Sequence, residues 1–138
     1  MLVKSQALRL AGLLAGVVLL SACGPGGEPD IALAEAVADF GGVANGQVRQ
    51  LTTEVLNQGQ GPLIIEAVTT SCGCTTAAVE PMTIPAGGAG VLSVTYDSGA
   101  HGPEFVGPVR RQVFIASNDP DERELVFEIA GEVISPED

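Results

Sequence analysis

Residues 91–96 read VLSVTY, and this stretch decides the fold class of the chain. Apolar Leu92, Val94 and Tyr96 alternate with small hydroxyl residues, and a period of two is typical of a β-strand that buries one face. The rest of the chain extends the pattern, because β-type runs there are separated by Gly, Pro, Asn and Asp. Five further runs are of this kind: residues 48–56, 63–68, 75–79, 109–116 and 125–133.

Residues 31–38 (IALAEAVA) give a mixed signal. Their alanines favour a helix, whereas the alternation of Ile31, Leu33 and Val37 favours a strand. We predict a strand, because everything after this segment reads as β. About seven short strands in about 105 residues predict an all-β, two-sheet sandwich of antiparallel strands. The chain has one Tyr and no Trp, so its core must be aliphatic.

The first 22 residues have the three-part layout of a signal peptide, which we expect to be helical. Lys4 and Arg9 precede an apolar run at residues 10–20, which is shorter than the about 20 residues that span a bilayer. The segment LSAC at residues 20–23 resembles the bacterial lipobox. That resemblance implies cleavage before Cys23, a diacylglycerol thioether on its sulfur and acylation of its new amino group. The alternative is an ordinary cleaved signal followed by a chance cysteine.

We therefore divide the chain into four parts. A lipoprotein signal peptide (1–22) precedes the lipidated Cys23 with a flexible tether (23–30), the sandwich (31–134) and an acidic tail (135–138). The expected location is the bacterial cell envelope. Gly24 replaces the aspartate that resembles a plasma-membrane retention signal, so we expect the outer membrane if one exists, and otherwise the outer face of the plasma membrane.

Charge excludes one class of partner. Without residues 1–22 the chain keeps four arginines, no lysine and all seventeen acids, which leaves a net charge of about −13. Such a surface repels phosphate backbones, so we expect no nucleic-acid binding. The missing lysine also excludes a P-loop lysine and Schiff-base chemistry. The lipid, rather than electrostatic attraction, is expected to hold the protein at the membrane.

The segment SCGCT at residues 71–75 is the most specific motif of the chain. With its companions it resembles a bacterial family of envelope domains of unknown function, which looks like the Hydin-type and major-sperm-protein-type immunoglobulin-like domains. The resemblance covers about residues 31–134 and implies a non-enzymatic immunoglobulin-like sandwich, but no ligand. The companion segments are DFG (39–41), Val43, Gly46, NQG (57–59), PLII (62–65), IP (84–85), SNDP (117–120) and GEV (131–133).

Cys72 and Cys74 are the main candidate site, since lipidation would use the third cysteine. In an extended strand their Cα atoms would lie about 6.6 Å apart, near the upper limit of about 6.8 Å for a disulfide. Three interpretations stay open: a structural bridge or thiol pair without a cofactor, a thiolate site for Cu(I) or Zn(II), and a redox-active dithiol. Two thiolates leave a metal under-coordinated, so Met82 or His101 would have to approach.

The remaining candidates have simpler interpretations. His101 is the only histidine and is expected in a solvated loop. Without a GxSxG elbow, a hydrolase triad has no support. Arg110 and Arg111 are expected on a strand face, paired with acids. An acidic cluster favours a solvated turn over a calcium site, because it does not match an EF-hand loop. It comprises Asp119, Asp121, Glu122 and Glu124.

These observations predict a lipid-anchored envelope protein whose immunoglobulin-like domain binds or supports other envelope proteins without catalysis. The alternative is an extracytoplasmic copper- or zinc-binding, or thiol-redox, protein that uses Cys72 and Cys74.

Overall fold

The computed structural model describes residues 26–137, which form β-strands and turns without a helix. Within that range, no helix is long and apolar enough to cross a membrane. Seven strands have six or more residues and two are shorter. The strands are β1 Ile31–Leu33, β2 Val37–Ala44, β3 Val48–Asn57, β4 Leu63–Thr70, β5 Thr75–Glu80, β6 Thr83–Ile84, β7 Ala89–Asp97, β8 Gly107–Ser117 and β9 Glu124–Ile134.

The strands form two sheets, with the orders β1-β3-β7-β5 and β2-β9-β8-β4-β6. This arrangement confirms the predicted all-β sandwich. Strand β7, which contains the VLSVTY stretch, lies inside the first sheet and pairs antiparallel with both β3 and β5. Strand β8 lies inside the second sheet, between β9 and β4.

The core fills the space between the sheets. Leu92, Val94 and Tyr96 are at most 1% exposed, and Val113 and Ile115 meet them from the other sheet at 0%. Fully burying an aliphatic side chain of this size stabilises the fold by about 1.5–3 kcal/mol. The core is mainly aliphatic, as predicted, but its two largest fully buried side chains are the aromatic Tyr96 and Phe127. Its other fully buried members include Val43, Val55, Leu63, Val79, Ile84, Phe127, Ile129 and Val133.

The segment 31–38 divides between the two sheets. Strand β1 pairs antiparallel with β3, the chain crosses over at residues 34–36, and β2 then pairs with β9. Backbone hydrogen bonds fix the crossing at both ends, from Ala34 N–H to Glu54 O (3.0 Å) and from Glu128 N–H to Ala36 O (2.9 Å).

The β2–β9 pair is parallel, which departs from the all-antiparallel expectation. The reason is the crossover: β2 continues in the direction of β1 and meets the last strand running the same way. The predicted single strand is thus corrected to two strands in different sheets.

Buried polar side chains tie the loops to this frame. Asn57 is 1% exposed, accepts the N–H groups of Asp30 and Gly59, and donates to the carbonyls of Gly61 and Ile84. The backbone of Glu28 and Asp30 also accepts hydrogen bonds from residues 58–61. The described end of the predicted tether therefore packs against the sandwich. Residues 1–25, with the predicted signal peptide and Cys23, lie outside the described range.

Candidate functional site

A tight turn between β4 and β5 brings Cys72 and Cys74 together in a disulfide. Their Cα atoms lie 5.3 Å apart, well below the about 6.6 Å of an extended strand. The Thr70 hydroxyl stabilises the turn, because it is positioned to donate to Cys72 O (3.0 Å) and to Thr75 O (2.9 Å). Cys74 N–H donates to Cys72 Sγ at 3.2 Å. Cys74 is 5% exposed and Cys72 is half-buried, so one sulfur faces the core and the other faces its edge.

Two long side chains from other elements reach this turn. The loop between β7 and β8 carries His101, and β8 carries Arg111. Arg111 Nε–H donates to Cys74 Sγ at 3.2 Å, and its Nη2 lies 3.1 Å from His101 Nε2. Residues 72, 74 and 101 each place a ligand atom within 4.8 Å of the other two. We call Cys72, Cys74, His101 and Arg111 the sulfur corner.

The contact with Arg111 selects one tautomer of the neutral His101 ring. A guanidinium group donates hydrogen bonds and accepts none, so His101 Nε2 is the acceptor and the ring proton sits on Nδ1. The ring also packs at a tilt against Phe105, with 5.2 Å between centroids. An exposed loop histidine is thus oriented by a cation on one side and an aromatic ring on the other. Its lone pair points to Arg111, beside the sulfurs.

A stacked aromatic pair, made of the buried Tyr96 and the partly buried Phe40, lies next to the corner. Tyr96 pairs with Thr75 across β7 and β5, and its ring stacks on Phe40 with 5.1 Å between centroids. Burial raises the pKa of the Tyr96 hydroxyl above its ordinary value; nearby Arg111 opposes that rise and Asp97 adds to it. The hydroxyl has no hydrogen-bond partner among residues 26–137. The Tyr96 hydroxyl therefore stays neutral, and the stacked ring packs next to the corner.

An open groove of about 810 Å³ adjoins the corner and shares Arg111 with it. Its walls come from the bulged part of β2 and from β8 and β9, and they include Asp39, Arg110 and Glu132. Arg111 is therefore accessible from the groove and also in contact with Cys74.

The structure separates the other predicted site residues from the corner. Met82 is 47% exposed and follows the far end of β5, six residues of extended chain away from Cys74, so the proposed Met82 ligand is excluded from this cluster. Arg110 pairs with Glu128, as expected for a strand face. Asp119 is 2% exposed and binds backbone amides, so a solvated turn is the wrong description of that residue.

Arg111 is the residue whose role the sequence interpretation missed. It was expected to pair with acids on a strand face, but it turns inward to Cys74 and His101. Its position carries a usable signal, because it has the same parity as the buried Val109 and Val113 on β8. An arginine on the inward parity at the end of a sandwich needs polar partners for its guanidinium, and here the Cys74 sulfur and the His101 imidazole supply them.

A family model described as "Protein of unknown function (DUF1573)" matches residues 31–133. These bounds coincide with β1 and the end of β9, so the match covers the whole sandwich. No curated protein matches the chain in sequence.

Solved structures share the architecture. A protein of unknown function from Porphyromonas gingivalis W83 has a TM-score of 0.71 at 23% identity, covering 83% of this chain and 51% of that one. The PapD-like domain 7 of human CEP192 has a TM-score of 0.60 at 12% identity, covering 94% and 99%. The VesB protease of Vibrio cholerae has a TM-score of 0.61 at 12% identity, covering 75% and 32%. The chain thus spans about half of the P. gingivalis protein, and at these identities the likeness shows an immunoglobulin-like, PapD-like fold.

Proposed function

We propose that this chain, which belongs to the DUF1573 family, is a lipid-anchored envelope protein. In this proposal its sandwich binds an extended segment of another envelope protein, without catalysis. The anchor is Cys23, in the LSAC segment that resembles a lipobox. The binding surface is the open edge of β5. The observation that carries the binding role is that this edge is unpaired and unprotected by charged side chains along its middle.

Strand β5 is the longest regular edge strand in the described part of the molecule. It ends its sheet, whereas β1 and β6 have three and two residues and β2 is broken by a bulge. Asp97 N–H donates to Cys74 O at 2.9 Å, which sets the phase of the β5–β7 ladder. Bonded pairs alternate along an antiparallel ladder, so the backbone groups of Ala77 and Val79 point away from β7 and are open to another strand.

The side chains beside this edge lack the usual protection. Proteins commonly guard an edge strand with lysines, prolines or bulges along its length. Here the outward side chains of the middle of β5 are Thr76 and Ala78, next to Ser93 and Thr95 of β7. On a chain with a net charge of −11 this uncharged strip is distinctive. It fits strand addition, in which the main chain supplies affinity.

Site-specific cross-linking in the native host tests the binding role. A photoreactive residue in place of Thr76 should give one discrete protein adduct on illumination. The substitution Ala77→Pro should abolish that adduct, because it removes an outward N–H while leaving the ladder to β7 intact. The folded state is checked by circular dichroism, and the melting temperature should fall by only a few degrees.

The matched control places the same photoreactive residue at Thr69, which is exposed on the other sheet. No adduct is expected there. An adduct that forms equally from position 69, or that survives Ala77→Pro in a folded chain, would contradict strand addition at β5.

The sulfur corner supports a second candidate, an extracytoplasmic metal-binding or thiol-redox protein. The specific observation is that a ring nitrogen of His101 lies within 4.8 Å of both cysteine sulfurs and that Arg111 contacts Cys74 Sγ. A cation beside a sulfur stabilises the thiolate, which is the reactive and metal-binding form. The cysteines precede the first residue of β5, whereas strand addition uses the middle of that strand, so the two roles use different residues and are compatible in one molecule.

A further inference from the structure

The sulfur corner gathers three potential metal ligands from two separate segments of the chain. The two sulfurs and a ring nitrogen of His101 all lie within 4.8 Å of one another. Around a metal with bonds of about 2.0–2.3 Å, two ligand atoms are separated by roughly 3.5–4.5 Å. The backbone of the turn and the packing of His101 on Phe105 hold the imidazole beside the cysteine pair, and breaking the disulfide lets the two bonded sulfurs separate toward that spacing.

We propose that reduction of the Cys72–Cys74 disulfide opens a site for one Cu(I) ion, with both thiolates and His101 Nε2 as its ligands. The inference rests on the second candidate function and names its ligand. In the oxidised chain the sulfurs are bonded to each other, so neither is a thiolate. The disulfide excludes the metal and the dithiol admits it.

The reaction balances in two steps. A dithiol reductant supplies two electrons and two protons, the S–S bond breaks, each sulfur gains a proton and the reductant becomes a disulfide. Cu(I) then forms two Cu–S bonds and one Cu–N bond, and the two thiol protons leave to solvent. Copper enters and remains monovalent. The charge of the ligated ion and its two thiolates is −1.

Charge and softness favour Cu(I) over Zn(II). Two thiolates with Zn(II) are neutral, whereas with Cu(I) they carry one negative charge, and the Arg111 guanidinium lies 3.2 Å from Cys74 Sγ to balance it. Soft sulfur ligands also select Cu(I). A structural zinc site needs four protein ligands, and the described residues assemble three here, with no carboxylate among them.

Arg111 is a positioning residue in this scheme. As the donor to His101 Nε2 it keeps the ring in the tautomer whose lone pair lies on the Nε2 side, the form that binds a metal. The ion would replace Arg111 at Nε2, and the guanidinium would keep its contact with Cys74. Three separate elements therefore form the corner. The turn between β4 and β5 and the loop between β7 and β8 supply the ligands, and Arg111 of β8 selects the histidine tautomer and provides the counter-charge.

An anaerobic titration of the full chain in detergent tests the proposal. The chain is prepared with its disulfide reduced or intact, and each form competes with a chromophoric Cu(I) chelator. The reduced form should take up one Cu(I) per chain and the oxidised form none. X-ray absorption should report two sulfurs and one nitrogen around copper. His101→Ala should weaken binding at least about tenfold, as loss of a ligand requires, and Cys72→Ser should abolish it.

Met82→Leu is the matched control, since it removes a soft donor at the far end of β5, and it should leave the affinity unchanged. Three results would overturn the copper site: no uptake by the reduced chain, binding unchanged in His101→Ala, or tighter binding of Zn(II) than of Cu(I). If a dithiol still reduces the disulfide reversibly in the folded chain, the thiol-redox function survives that failure. If the disulfide resists reduction until the chain unfolds, the copper site and the thiol-redox function are both ruled out.

Discussion

Asp119 lies in the turn between β8 and β9, and both of its carboxylate oxygens accept backbone amides. Oδ2 binds Ile31 N–H at 2.8 Å, and Oδ1 binds the N–H groups of Asp121 and Glu122 at 2.8 and 3.1 Å. Burial is the largest single influence and raises the pKa of Asp119, but the three amides together outweigh it and lower the pKa below the ordinary 3.8. One charged residue thus joins β1 to the β8–β9 turn.

Asp119→Asn should lower the free energy of unfolding at pH 7 by about 1–3 kcal/mol, because its amide group must face a backbone N–H. The pH dependence has a definite sign. Since the folded pKa is depressed, the stabilisation is fully present above the ordinary value and is lost as pH falls through the folded value. Urea unfolding at pH 7 and at pH 3 should show the gap between the two proteins narrowing in acid. A gap that widens in acid would contradict this assignment.

The bridge between Cys72 and Cys74 should contribute little to stability. It closes a loop of three residues, for which the chain-entropy model gives roughly 1–2 kcal/mol. The double substitution Cys72→Ser with Cys74→Ser should therefore lower the free energy of unfolding by about that amount, measured by urea denaturation of the full chain. A loss above about 4 kcal/mol would make the bridge a structural staple and remove the folded reduced state that copper binding requires.

At the residue scale, the sequence predicts which side chains can carry chemistry better than it predicts which side chains touch one another. The spacing of Cys72 and Cys74 selects the site, and Gly73 between them permits a turn tighter than a strand. Arg111 was assignable in part, since its parity on β8 points inward. The sequence offers His101 as a possible third ligand, but its approach to the cysteines was not predictable, because a loop between β7 and β8 closes on a turn between β4 and β5 only after both sheets have packed. Asn57 lies in the NQG segment of the sequence, and two of its four hydrogen bonds, with Asp30 and Ile84, depend on backbone that is distant in sequence.

The parallel β2–β9 pair depends on one glycine. A Cβ at Gly131 of β9 would collide with the ring of Phe40 on β2, and that ring is stacked on the buried Tyr96. Gly131→Ala should lower the free energy of unfolding by about 1–3 kcal/mol through overpacking. Gly42→Ala in the same pair is the control, since its Cβ would lie 3.8 Å from Ile134 Cδ1, an ordinary contact, and it should change stability by less than about 1 kcal/mol. Equal effects in thermal melts would contradict a register fixed by Phe40.

At the element scale, alternation located the long strands to within a few residues. The six clear runs correspond to β3, β4, β5, β7, β8 and β9, because each buries one face and its period of two is visible in the sequence. The division of residues 31–38 was not visible. Its alanines fit a strand or a helix. The sheet that each half joins depends on backbone hydrogen bonds with Glu54 and Glu128, which are distant in sequence.

Across the whole molecule, composition and architecture point the same way. A net charge of −11 keeps the surface repulsive, while the uncharged strip beside β5 interrupts it at an open edge. The sulfur corner lies at the start of that same strand, so the candidate metal or redox site adjoins the proposed binding edge. The fold class was predictable from periodicity and the family resemblance from short motifs. The partner was not, since an open edge gives a mode of binding rather than an identity.

The central claim is an envelope domain held by a lipid on Cys23 and carrying an oxidised Cys72–Cys74 pair. Intact-mass spectrometry of the protein from membranes of its native host tests both parts at once. The mass should correspond to a chain that begins at Cys23 with diacylglycerol and an amino-terminal acyl group, and that lacks two hydrogens until a reductant is added. A mass that starts at Met1, or an unmodified Cys23, would contradict the anchor, and two free thiols in the untreated protein would contradict the bridge.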